Sequence, residues 1–91
     1  MNFDWDPVKA RANLRKHGVS FSEAATVFAD PYAIWEPEVR HADRGHLIGT
    51  SAELRLLFVV HVEVLEDVDT IRIISARKAT RAERERYEDE E

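Results

Sequence analysis

The chain has 91 residues, enough for one compact domain with a small core and little room for a second. Hydrophobic residues make up 44% and charged residues 34%, a globular balance that argues against general disorder. The absence of cysteine excludes disulfide scaffolds and thiolate metal sites, and the net charge of −5 counts against a nucleic-acid partner until its distribution is considered.

The opening MNFDWDPVKA has no cationic segment followed by a long apolar one, so no secretion signal is expected. Asp6-Pro7 starts a helix, with Asp as N-cap and Pro at the first helical position. Gly18 after Lys16-His17 stops it, which predicts a helix from about Pro7 to His17. Ser20-Phe21-Ser22-Glu23 has the spacing of a capping box and opens a second helix that ends at Asp30-Pro31. Tyr32 to Trp35 reads as an edge strand, Glu36 to Gly45 as a loop, and His46 to Ser51 as a second strand.

Arg55 to Glu63 is the strongest strand, with a nearly continuous apolar centre. Its longest apolar run, Leu56 to Val60, is five residues, too short to span a bilayer, and a cytoplasmic location is expected. Glu66 to Asp69 reads as a turn and Thr70 to Ala76 as the partner strand. Thr80 and Glu83 form a second capping box, opening a charged helix that frays into the acidic residues Glu88 to Glu91. The expected fold is α+β: one domain over residues 1–87 with an acidic tail at 88–91. It has two N-terminal helices, a three- to four-stranded antiparallel sheet and a C-terminal helix, with the helices covering one sheet face. Phe3 to Trp5 is a candidate for a further short strand.

The charges are not evenly spread. Val8 to His17 holds four bases (Lys9, Arg11, Arg15, Lys16) and no acid. Ile71 to Tyr87 holds six (Arg72, Arg77, Lys78, Arg81, Arg84, Arg86) against two acids. Two basic segments on an otherwise acidic protein are either a local patch for a phosphate backbone or scattered solvated charge.

Several motifs together resemble one family. Trp5-Asp6-x-x-Lys9-x-x-x-Asn13-x-x-Lys16-His17-Gly18-Val19-Ser20-Phe21 is similar to the start of the BrnT toxins, as is Glu23-Ala24-Ala25-x-Val27-Phe28-x-Asp30-Pro31. Arg40-His41 followed by Ile48-Gly49 resembles the family's middle. Ile71 to Thr80, with Glu83-Arg84 and Tyr87, resembles its C-terminal signature. The resemblance implies a fold like the RelE-type ribonucleases and the toxin half of a type II toxin–antitoxin pair. Its partner would be a DNA-binding antitoxin, in a complex of two toxins and two antitoxins. Two departures stand out: His46 occupies a position where arginine is expected, and the net charge is acidic.

RNA cleavage without metal or cofactor needs a base for the 2′-hydroxyl proton, cations for the phosphorane and an acid for the leaving oxygen. Arg77, which ends an apolar strand where the chain turns, and Lys16 are expected to hold the scissile phosphate, with Arg81 assisting. His17 leads for proton transfer, although its place at a helix C-terminus also suits the dipole. His61, which alternates with Leu57, Val59 and Glu63, is the reserve, although a lone strand histidine is more often structural. Lys9 and Tyr87 are expected RNA contacts, while Arg84 and Arg86 fit surface ion pairs with Glu83, Glu85 and Glu88. His41, Asp43 and His46 lack the spacing of a metal motif, and no metal is expected. The chain alone offers no groove-reading helix for specific DNA binding. The rival reading is a non-catalytic module whose basic patch docks nucleic acid or an acidic protein.

Overall fold

The computed structural model describes residues 1–64 and 67–90. In chain order the elements are β1 (Asn2–Asp4), α1 (Pro7–His17), α2 (Phe21–Thr26) with a 3-10 turn at Val27–Ala29, β2 (Ile34–Pro37), β3 (Arg44–Thr50), β4 (Leu56–Val64), β5 (Asp67–Lys78) and α3 (Arg81–Glu90). They form one five-stranded sheet in the order β1-β5-β4-β3-β2. No helix among the described residues is long and apolar enough to cross a membrane.

The helix punctuation acts as its residues dictate. Asp6 accepts from the Val8 N–H at 2.8 Å, Pro7 occupies the first turn, and Gly18 takes the left-handed conformation at φ 70 to close α1. The Ser20 box is only half made. Ser20 Oγ accepts from the Glu23 N–H at 3.0 Å, but the Glu23 carboxylate turns away to Arg55 and to Ser51 Oγ. The Thr80 box is complete, with Glu83 N–H to Thr80 Oγ1 at 3.2 Å and Thr80 N–H to Glu83 Oε1 at 2.8 Å.

Alternation along β4 divides the core. Leu57 and Val59 join Leu47, Ile73 and Ala76 on one face, packed against Val19, Phe21, Ala24 and Val27 from the α1–α2 layer. Leu56 and Ile48 lie with Tyr87 in a second, smaller cluster to which Phe58, Ile34 and Ala79 are packed. The helices therefore cover both faces rather than one, because α3 brings Tyr87 to the face opposite α1 and α2.

The sheet also differs from a purely antiparallel one of three or four strands. β1 adds to β5 in parallel, with Asn2 opposite Thr70 and Asp4 opposite Arg72, and β2 pairs with β3 to complete five strands. A parallel neighbour leaves no hairpin turn in the sequence to announce it. The 36–45 segment is partly strand, since β2 extends to Pro37 and β3 begins at Arg44. The turn expected at 66–69 is already β5 from Asp67, and residue 66 lies outside the described residues. Between β4 and β5, Val60 pairs with Ser75 but His61 with Ile73, so β5 carries one extra residue there, a bulge. The first acidic residues of the C-terminal run are helical, as α3 continues to Glu90.

Two polar side chains, Asn13 buried and Asp30 half-buried, lock the layers. Asn13 donates to the carbonyls of Val19 (3.0 Å) and Ala76 (2.8 Å) and accepts from the Ala76 N–H (3.1 Å). β1 covers β5 only from Thr70 to Arg72, so this amide serves as the strand partner that β5 lacks at Ala76. Asp30 accepts from the Thr50 N–H (2.8 Å), the Tyr87 hydroxyl (2.7 Å) and the Tyr32 N–H (2.9 Å), tying the end of the helical layer to β3 and α3. Burial pushes the Asp30 carboxyl up, but these bonds outweigh it and hold it below the ordinary carboxylate value.

Candidate functional site

The end of β5 and the start of α3 gather the C-terminal cations. Arg77 stands opposite Phe58 in the β4–β5 register, with its guanidinium 4.2 Å from the centre of that ring. Its two terminal nitrogens bond Glu83 Oε1 at 2.8 Å and Oε2 at 2.9 Å, a bidentate fork. Burial pushes the Glu83 carboxyl up, and the bonds from Arg77 and Thr80 overcome this and hold it down. Arg77 is therefore half-buried and already neutralised. Its contacts fix where α3 begins.

Beside it lies a cleft of about 450 Å³ whose walls include Thr50, Arg55, Lys78, Arg84, Tyr87 and Glu88. Arg55 is committed: it grips the buried Glu23 with two nitrogens and donates to the Gly18 carbonyl at 3.0 Å. The Arg55 bond to Glu23, against the cost of burial and helped by Ser51, holds the Glu23 carboxyl below its usual range. Lys78 and Arg84 are exposed and make no ion pair among the described residues. Of the three carboxylates expected near Arg84 and Arg86, Glu83 pairs with Arg77 and Glu85 with Arg81, while Glu88 lines the cleft with Arg84 without an ion pair to it. Sequence spacing alone counted those acids as available to Arg84. The strand-to-helix turn that redirects them is visible only in three dimensions.

The remaining expected site residues are dispersed. Lys9 and Lys16 are exposed on α1, and His17 is half-buried at its last residue. Arg55, which donates to the Gly18 carbonyl, links that helix end to the cleft. Arg81 projects into solvent, 92% exposed, beside Glu85 at 3.4 Å. Tyr87 lines the cleft but is buried, with its hydroxyl bonded to Asp30 and accepting from Thr50 Oγ1 at 3.2 Å. His61 is buried on the α1–α2 side of the sheet, the face away from Arg77, with its ring 5.0 Å from Phe28. His61 is not among the described residues that line the cleft.

His46, the departure noted in the sequence, stacks on Phe58 at 4.5 Å from the β3 side. Its Nε2 is 2.7 Å from Glu36 Oε1, and Arg86 bonds the same oxygen. Phe58 is thus flanked by His46 and Arg77, each held by a carboxylate. Among the described residues no group of three or more metal-ligating side chains comes together.

A family model described as the ribonuclease toxin BrnT of type II toxin–antitoxin systems matches residues 5–83. No curated protein matches the chain in sequence. Among solved structures, the crystal structure of the Brucella abortus ribonuclease toxin BrnT superposes with a TM-score of 0.72 at 28% identity, covering 89% of this chain and 99% of that one.

Proposed function

The chain belongs to the BrnT family of ribonuclease toxins of type II toxin–antitoxin systems, and from that premise we propose that it cleaves RNA at the cleft between β5 and α3. The observation that carries this site is the pair Lys78 and Arg84, two exposed cations on one concave surface that make no ion pair among the described residues, although Glu88 shares the wall and Glu23 lies within the electrostatic reach of Lys78. Unpaired cations in a cleft attract a phosphate backbone and stabilise charge that builds on it. In this reading Lys78 and Arg84 hold the scissile phosphate. Arg77 acts as a positioning residue, holding the start of α3 through Glu83.

The reaction is metal-independent attack of the ribose 2′-hydroxyl on the adjacent phosphorus, expelling the 5′-oxygen. His17 carries a proton at the α1 end, and Lys16 and Lys9 extend the backbone track along that helix. His61 and Arg81 take no part in bond breaking: one is buried on the far face and the other points to solvent. The same reading keeps a kinship with RelE-type ribonucleases, a cytosolic setting and a DNA-binding antitoxin in a two-to-two complex. Acidic antitoxin groups over Lys78 and Arg84 would compete with RNA directly.

A binding-only role is favoured by one observation: no histidine lines the cleft. Purified protein on bulk RNA separates the two. Cleavage that persists in EDTA, leaves 2′,3′-cyclic or 3′-phosphate ends and falls by about 100-fold or more in a Lys78→Ala/Arg84→Ala variant supports the nuclease. RNA retention without any cleavage would leave only binding.

A further inference from the structure

At the other end of the sheet, on the α1–α2 face, β3 and β4 pair Gly45 with His61, and the indole of Trp35 from β2 closes over them. Glycine at 45 lets the indole and imidazole sit this close to the β3 backbone. A Cβ there would lie 2.6 Å from Trp35 Nε1 and 3.3 Å from His61 Cε1, inside contact distance for the first and tight for the second. The gap bounded by these residues opens into a cavity of about 380 Å³, walled also by Pro37, Ala42 and Arg44. That volume falls in the range of small-molecule sites.

His61 is the unexplained residue of this wall. It is only 4% exposed, yet neither ring nitrogen has a hydrogen-bond partner among the described residues. Buried polar atoms are nearly always paired, so a histidine left without partners beside a cavity points to a ligand. We propose that this cavity is a nucleobase-binding site, in which Trp35 stacks on a base of the RNA and His61 hydrogen-bonds to it.

The chemistry of the walls selects that ligand class. Burial pushes the imidazole down to about 4, so near neutrality the ring is uncharged and offers one donor and one acceptor. A flat heterocycle carrying both kinds of group matches it. A simple anion finds Asp43 and Glu63 on the same wall and no charge on His61. Trp35 is 57% exposed, an apolar ring face in the position that single-strand binders use to stack bases. Arg44 at the rim is half-buried with no ion pair among the described residues, and is placed for the adjoining phosphate. From Gly45 to Thr50, which lines the cleft, β3 runs roughly 17 Å, the reach of a short oligonucleotide passing over the edge strand β2. The proposal rests on the ribonuclease reading for its choice of RNA, but its test does not require cleavage.

The chain has two tryptophans, so a Trp5→Phe variant makes Trp35 the sole indole emitter. Titration with the four nucleosides, which lack phosphate, is expected to give saturable quenching with at least one. His61→Leu in that background should weaken it by about tenfold, the loss of one buried hydrogen bond. Trp35→Leu changes an exposed side chain and should fold. Saturation-transfer NMR on that variant should show loss of nucleoside binding. If no nucleoside quenches Trp35 while RNA is still cut, the base site is wrong and the nuclease reading stands. Quenching without cleavage keeps the base site and removes the nuclease. Quenching by the antitoxin alone, with none by nucleosides, would assign the cavity to a protein partner and overturn the proposal.

Discussion

Replacing Asn13 by alanine tests the link between the helical layer and the sheet. The side chain is 8% exposed and makes three hydrogen bonds, two to Ala76 and one to Val19. Truncation leaves the Ala76 N–H and C=O without a partner on the edge that β1 does not reach. A buried polar group left unmade costs about 1–3 kcal/mol, and water entering at the exposed end of α1 recovers part of that for three groups. The expected net loss is about 3 kcal/mol, a large share of the roughly 5–15 kcal/mol that holds a small domain folded. At about 4–8 °C per kcal/mol, the melting temperature should fall by roughly 12–24 °C. Urea unfolding followed by circular dichroism measures the loss directly, and an unchanged m-value shows that the folded state is still compact. Asn13→Asp keeps an acceptor for the Ala76 N–H but sets a charge against two carbonyls, and should lose at least as much at neutral pH. A loss below about 1 kcal/mol for Asn13→Ala would mean that the amide does not close the edge of β5.

Three further outcomes follow from the same structure. His61 is held at about 4 in the fold against 6.5 unfolded, so the unfolded chain takes up the proton first as pH falls. Stability should drop by about 2 kcal/mol between pH 6.5 and pH 5, continue down to about pH 4 and then level; a His61→Leu protein with the same slope in denaturant titrations would contradict this. Glu23, Asp30 and Glu83 are all held below their ordinary values, so their contribution is present above the unfolded carboxylate range and lost as pH falls through the folded values. Glu83→Gln should cost about 1–2 kcal/mol near neutrality, by stripping Arg77 of its fork, and should make the acid limb shallower in thermal melts. Tyr87→Phe removes the hydroxyl bond to Asp30 and should cost about 1 kcal/mol while leaving RNA cleavage rates within a few-fold; a large rate loss in a folded variant would return Tyr87 to the substrate.

Local signals were enough for the elements whose causes are local. Asp6, Pro7 and Gly18 set both ends of α1 because capping involves only neighbours a few residues away. The complete Thr80–Glu83 box likewise starts α3, and the alternation of Leu57, Val59 and His61 placed all three on one buried face. The family motifs were legible for a related reason: they record residues, not contacts. Trp5 through Phe21 and Ile71 through Thr80 spell the BrnT pattern whether or not it is known what each residue touches.

Tertiary structure decided what depends on residues far apart in the chain. Glu23 looks like half of a capping box until Arg55 competes for it across 32 positions, and the charge-assisted fork wins over a single backbone bond. The parallel pairing of β1 is set by where α1 returns the chain, and Asn13 acquires its role only because β1 stops at Asp4. The cations suffered the same fate. Arg77 reads as free from its place at a strand end, but the turn into α3 delivers Glu83 to it, and in doing so leaves Arg84 without that partner. Charge pattern along a chain counts cations and acids; only the fold determines which carboxylate each cation meets, and so which cations are left to meet a phosphate.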